Sequence, residues 1–454
     1  MRRSRNVRRR WLVSCALASA IAGCGDGSGS AGTPVEPGPL ARKAAGYDAN
    51  HVAWHQSAEL GSRIETRFAA PDSTEVVLYD DLGASTFWTG QYAASQAFRF
   101  AVTGAADART NALRAASALH HHYAATGKRG FVGRFVGSVD EPALWAYAQP
   151  CTDENCHLVT EGPYAGHFWL GNTSRDQYTG WFYGLSLVHD LVADPETNAV
   201  IESDMREVIA RLEDDAWRIV DVDGVATTAG PGVLPLQQLM FTIAARDATG
   251  DAALAELYER TAAFLTVLEP LSTITWPNTY TEYFGISLGY LASYNLVRLE
   301  ADAERRAAHV ATLDTQQYPP VANTHQVFFD YVWMAETGQR PEALLEDARA
   351  SLLEFPDAPK RRIHPYHPPM PKDPLSVIAG PLLDALGLGE VIDIEPRAKD
   401  PYPMSQRCVA GDYWQASPWA LDCGPDDPAF EYAGEDYLHA YWMGRYHGFL
   451  NDGD

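Results

Sequence analysis

Residues 171–190, GNTSRDQYTGWFYGLSLVHD, constrain the fold more than any other stretch. Ser174 and Gln177 stand at the spacing of a capping box, and the apolar and aromatic positions behind them recur at helical intervals, which predicts a helix beginning near Arg175. Aromatic or apolar side chains fall on nearly every side of it. A helix without a solvated face belongs inside a multi-helix protein, so this one is expected as an inner helix whose first turn opens into a cavity.

The pattern repeats. Ser85–Val102, closed by Thr103-Gly104, precedes Asp107–Ala125; Arg175–Leu191 precedes Glu196–Trp217; Leu234–Ala248 precedes Ala252–Leu268; Tyr280–Leu299 precedes Ala301–Leu313; and His325–Ala335 precedes Pro341–Leu353. The first member of each pair is rich in Trp, Tyr, Phe and Gly, while the second carries Glu, Asp and Arg on one face. That contrast predicts antiparallel hairpins with an inner and an outer layer. Five hairpins are legible at a repeat of roughly 45 to 60 residues. A sixth is expected from Leu375–Leu386 with the closing helix Asp436–Phe449, or else from an N-terminal helix over Asn50–Phe68. Trp217–Thr228 reads as a β-hairpin turning at Asp223-Gly224, and residues 355–435 as a proline-rich loop segment across one face.

Six arginines and no acid occupy residues 2–10, ahead of a short apolar run, Trp11–Ile21. This is the plan of a secretory signal, too brief to span a bilayer as a lasting helix. It ends Ile21-Ala-Gly-Cys24, which resembles the lipobox of bacterial lipoproteins and implies that Cys24 becomes the lipidated first residue of an exported, membrane-anchored chain. Arg9-Arg10-Trp-Leu is also loosely similar to a twin-arginine signal. Residues 1–23 are therefore read as signal, 24–45 as a Gly-, Ser- and Pro-rich tether, and 46–454 as a single domain without a second linker. The formal charge of −24 becomes −30 without the six arginines. Such a surface repels nucleic acid and anionic lipid, and disfavours strongly anionic polysaccharides unless a basic patch such as Lys360-Arg-Arg362 lies near the site.

Besides Cys15 and Cys24, four cysteines remain. An even number in an exported chain predicts two disulfides, most simply Cys151–Cys156 and Cys408–Cys423. The alternative, a zinc site on Cys151, Cys156 and His157, departs in order and spacing from the sites of lanthionine cyclases, and no metal or cofactor is expected.

Thr86-Phe-Trp-Thr-Gly, Tyr178-Thr-Gly-Trp-Phe-Tyr-Gly with His189-Asp-Leu-Val-Ala-Asp194, and Asp436-Tyr-Leu-His-Ala-Tyr-Trp-Met-Gly-Arg-Tyr-His447 carry a resemblance. With the alternation of aromatic and charged helices, the chain resembles the six-hairpin (α/α) toroids of glycoside hydrolases and polysaccharide lyases. Within that group it is similar to a family of secreted bacterial lipoproteins, which implies fold and cellular address only. The fold class expected is thus all-α: an (α/α)5–6 toroid of inner and outer helices with a small β-hairpin and a loop-rich C-terminal segment.

Asn172-Thr-Ser-Arg-Asp176, Asn278-Thr-Tyr-Thr-Glu282 and Asn323-Thr-His325 stand at the starts of inner helices. Asp176 and Glu282 would share equivalent first turns at one end of the toroid, as glycoside hydrolysis requires of its acid and its base or nucleophile. The helix dipole alone also favours acids there, by about 0.3–1 kcal/mol. Asp81, beside Asp80, is the rival carboxylate. His325 with Tyr280 or Tyr283 is the arrangement a lyase would use. Trp88, Trp181, Tyr183, Trp276 and Tyr280 are expected as sugar-stacking or core aromatics, with Trp333 beside them, and Arg445 and His447 as further cavity residues. His120-His-His122 point about 100° apart and read as surface and groove residues. His364-Pro-Tyr-His367 and the calcium-loop opening Asp221-x-Asp223-Gly224 read more simply as loop and turn.

Serine and cysteine nucleophile motifs, phosphate loops and dinucleotide fingerprints are missing from the sequence. The expected function is a lipid-anchored carbohydrate-active enzyme, a glycoside hydrolase acting on an oligo- or polysaccharide. The alternatives are a polysaccharide lyase and a non-catalytic lipoprotein that binds a glycan or peptide.

Overall fold

A computed structural model describes residues 36–149, 151, 155–272, 283–389 and 394–454. Helices dominate it: α1 (Pro39–Trp54), α2 (Ser85–Thr103), α3 (Ala106–Ala124), α4 (Arg175–Leu191), α5 (Pro195–Asp214), α6 (Pro235–Thr249), α7 (Ala252–Leu265), α8 (Phe284–Leu299), α9 (Ala303–Thr312), α10 (Val327–Thr337), α11 (Glu342–Glu354), α12 (Pro374–Ala385) and α13 (Glu435–Tyr446). The Thr-Gly stops end helices because Gly104, Gly250 and Gly338 each take a left-handed C-cap that a side chain would resist. Among the described residues no helix is long and apolar enough to cross a membrane.

The packing order is regular. α2 packs on α4, α4 on α6, α6 on α8, α8 on α10, α10 on α13, and α13 on α2 again. Each of these has a charged partner on its other side: α3 on α2, α5 on α4, α7 on α6, α9 on α8, α11 on α10 and α1 on α13. The closing helix α13 thus packs on the N-terminal helix α1. That first helix also differs from its expected span. It begins at Pro39, within the stretch read as tether, and ends at Trp54, while Glu65–Phe68 is a strand.

Two small antiparallel sheets were not legible in the helical pattern. One has the order β2 (Val76–Asp80), β1 (Glu65–Phe68), β7 (Asp427–Tyr432), β6 (Lys360–Arg362), and joins the two ends of the domain by pairing Thr66 with Glu431. The other is β3 (Phe135–Ser138), β5 (His167–Leu170), β4 (Cys156–Val159). The 217–228 hairpin closes through the pairs Arg218–Gly232 and Val220–Ala226. Both expected disulfides form, Cys151–Cys156 and Cys408–Cys423.

The tightest contact in the core is between α2 and α4, where Gly90 packs against Gly180 and Gly184 backbone to backbone. A Cβ on Gly180 would lie 2.5 Å from Phe87 Cα and O. No rotamer relieves a clash between main chains, so the helices would have to part. Gly180→Ala is expected to cost at least about 2 kcal/mol in denaturant unfolding, even after the ~1 kcal/mol gain in helix propensity. Gly232→Ala, which meets nothing within 4 Å, should be near neutral.

Between the helices the interior is filled rather than hollow. Phe98, Tyr183, Tyr294, Phe328 and His439, one from each of α2, α4, α8, α10 and α13, form a contiguous cluster, and Tyr183 Oη meets His439 Nε2 at 2.7 Å. Burial holds His439 down to about 3, so it is neutral here. Two inner-helix acids are buried as well, Asp330 accepting from Tyr318 Oη at 2.8 Å and Glu336 paired with Arg306 at 3.5 Å. Burial pushes Glu336 up to about 8 and Asp330 up to about 7. The folded chain then keeps protons that the unfolded chain releases near pH 4. The contribution of these two groups to stability is fully present below that pH and is lost as pH rises toward about 8. Melting temperatures measured across this range check it, and Glu336→Gln should flatten the upper part of the profile.

Candidate active site

The starts of the inner helices gather at one rim. Gln177 Oε1 at the head of α4 accepts from Phe87 N at the head of α2, at 3.1 Å. Gln237 Nε2 at the head of α6 donates to Thr179 Oγ1 at 3.0 Å. The rings of Phe284 and Phe87 lie 6.1 Å apart, which brings in the head of α8, and those of Tyr283 and Phe329 lie 6.4 Å apart, which brings in α10. Glu435 opens α13 and reaches Arg63. The capping box expected of Ser174 and Gln177 does not form, because both side chains are used sideways. Gln177 binds α2, and Ser174 Oγ accepts from Arg134 Nη2 at 3.0 Å.

Arg63 organises this rim. Only 1 % exposed, it holds three carboxylates: Asp81 at 2.7 Å through Nη1, and Glu65 at 3.0 Å and Glu435 at 2.6 Å, both through Nη2. Its guanidinium lies 5.3 Å from the centre of the Trp88 ring. Asp81 is the most open of the three acids, with about a third of its side chain exposed, and it sits at a φ of 58°, a conformation costly for a residue with a Cβ. Burial raises the carboxyls of Asp81 and Glu65 above the usual range, against the pull of Arg63. A second buried pair adjoins the first through Glu435 and Asp436. Lys360 Nζ donates to Asp436 at 2.8 and 2.9 Å and to Gly411 O.

Arg134 ties Asp81's turn to the head of α4. It donates to Gly83 O, to Asn172 O at 2.9 Å and to Ser174 Oγ, so Asp81 and Asp176 stand on adjoining segments of the rim. Asp176 accepts from Gln177 Nε2 at 3.0 Å. Trp88 Nε1, Tyr283 Oη and Thr173 Oγ1 are buried without a hydrogen-bond partner among the described residues. Such atoms occur elsewhere in the fold as well, and these three stand at the rim, where water or a ligand would complete them.

Of the residues expected from the sequence, this rim unites Asp81, Asp176, Trp88 and Tyr283. Glu282, Trp276 and Tyr280 lie outside the described residues. Several others belong elsewhere. Trp181 and Tyr183 are fully buried, and Trp181 Nε1 donates to Leu119 O, so both are core. Trp333 stacks on Tyr318 and donates to Asp314. Arg445 and His447 close the other end of α13, about 15 Å along the helix from Glu435, where they meet Asp452 and Tyr294. His325 is paired at 2.7 Å with Asp347 of the outer helix α11, and burial raises the Tyr283 hydroxyl far above a base's range; Tyr280, the other tyrosine expected beside His325, lies outside the described residues. The basic patch is consumed within the fold, since Lys360 binds Asp436, Arg361 binds Glu431 and Arg362 binds Tyr432. His122 is not a surface residue but is buried between Thr86 and Ser62.

Arg63, Glu65 and Glu435 were missed. Glu435-Asp436 open the closing helix as Asp176 opens α4, a signal present in the sequence. Arg63 and Glu65 were hidden because residues 50–68, which carry both, read as a helix. No protein-family model, curated protein or solved structure matches the chain, so the reading of this rim stands on its residues alone.

Proposed function

We propose that the chain is an exported, lipid-anchored carbohydrate-active enzyme. It is a glycoside hydrolase whose six hairpins close into an (α/α) toroid, with its anchor at Cys24. The cyclic packing order of the inner helices supports the toroid, and the two disulfides are compatible with export. The observation that carries the reaction is the convergence of Asp81, Glu65 and Glu435 on Arg63 beneath the unpartnered indole of Trp88, with Asp176 on the adjoining segment. Hydrolysis of a glycosidic bond needs one carboxyl that arrives protonated and one that activates water or attacks. Asp81, raised by burial and open to the rim, is the proton donor in this reading, and Asp176 its partner. Trp88, only 6 % exposed beside Arg63, supplies the unpartnered N–H at the floor of this site.

A second reading has a specific observation behind it. Three of the rim's carboxylates are ion-paired to one arginine, an arrangement that suits a lipoprotein holding a glycan without turning it over. Reducing-sugar release from a panel of neutral and acidic glycans, with Asp81→Asn and Asp176→Asn beside the parent, separates the two. Cleavage of a neutral glycan that both variants lose is the expected result. Binding without cleavage favours the second reading, and full activity in both variants removes the site assignment.

A further inference from the structure

The Asp221-x-Asp223-Gly224 turn has a use that hairpin formation does not exhaust. It borders a cavity of about 200 Å³ that Asn155, His157, Asn172, Asp223, Thr227 and Thr228 also line. The walls are pre-organised. Asn172 clamps Thr228 from both sides, its Oδ1 accepting from Thr228 N and its Nδ2 donating to Thr228 Oγ1, each at 2.8 Å. Asp221 accepts from Asn172 N at 2.7 Å and from Val222 N at 2.6 Å.

One group in this cavity is left over. The hydroxyl of Thr227, a residue only 5 % exposed, has no partner among the described residues. A buried hydroxyl in that state costs about 1–3 kcal/mol, which a ligand's hydrogen bond would recover. Carboxylates, amides and hydroxyls at close quarters match the vicinal hydroxyls of a sugar, each both donor and acceptor. The acids are weak candidates for a cation instead, because both oxygens of Asp221 and one of Asp223 already accept main-chain N–H groups. The cavity also adjoins the rim, since Asn172 lies four residues ahead of Asp176 and its carbonyl accepts from Arg134.

We propose that this cavity is an accessory subsite for one neutral sugar unit, so that the ligand is an oligosaccharide or polysaccharide extending from the rim past the 221–228 hairpin. The proposal rests on the carbohydrate reading above. Calorimetric titration with malto-, cello-, xylo- and chito-oligosaccharides of one to six units tests it, using the parent, Thr227→Val, Asp223→Asn and Asp81→Asn. Thr227→Val keeps the side chain's shape, and Asp223 is exposed, so neither should disturb the fold.

The parent is expected to bind the longer members of one series at least tenfold more tightly than the disaccharide. Thr227→Val should lose that preference and Asp81→Asn should keep it. Length preference unchanged in Thr227→Val and Asp223→Asn overturns the subsite while leaving the rim intact. Binding of Ca²⁺ that Asp223→Asn abolishes, with no such loss of sugar, also overturns it. Failure of every glycan to bind the parent overturns the carbohydrate reading and the subsite together.

Discussion

Arg63→Met is expected to destabilise the protein by about 3–5 kcal/mol, the cost of leaving buried carboxylates without their counter-charge. The guanidinium is almost fully enclosed and touches Glu65, Asp81 and Glu435, of which Glu435 is fully buried and Glu65 nearly so. A methionine fills the space but leaves acids facing one another in a medium that solvates them poorly. The penalty should shrink as pH falls, because protonation removes the repulsion. It should shrink also in the triple variant Arg63→Met, Glu65→Gln, Glu435→Gln, where no uncompensated charge remains. Denaturant unfolding at pH 7.5 and pH 5 measures both effects, and an equal loss at the two values would contradict the electrostatic account.

Asp81→Asn is expected to lower kcat on a cleaved glycan by about 10²–10⁴-fold with KM little changed, the scale of losing a general acid. The amide keeps the shape and can still accept from Arg63, so the fold should survive. Loss of the acidic proton should also remove the alkaline limb of the pH–rate profile, which a purely positioning residue would not do. A drop in melting temperature matching the loss of activity would assign Asp81 to stability instead.

Much of this architecture was readable because each inner helix declares itself twice, by aromatic residues on all faces and by a Thr-Gly or polar boundary. Arg175–Leu191 is such a case, where expected and observed spans coincide. The strands were not readable. β1 is four residues long and its sequence, Glu-Thr-Arg-Phe, has neither apolar alternation nor a turn signal, so its helical neighbours swallowed it. The site divides the same way. Asp176 and Asp81 lie at helix starts, where local sequence reports position. Arg63 and Glu65 become important only when β1 pairs with β7, hundreds of residues distant, and brings them beside Glu435. Trp181 and Tyr183 show the converse: aromatic residues in an inner helix are first of all core, while Trp88, at the first turn of α2, has an unpartnered N–H beside the Arg63 cluster.

A crystal structure of the Asp81→Asn variant soaked with a glycan that the parent cleaves is the most direct test. The account predicts a sugar at the Asp81 opening of the Arg63 rim, with its glycosidic oxygen within hydrogen-bond reach of residue 81. A glycan bound only on another face, with the Arg63 rim occupied by water alone, would contradict it.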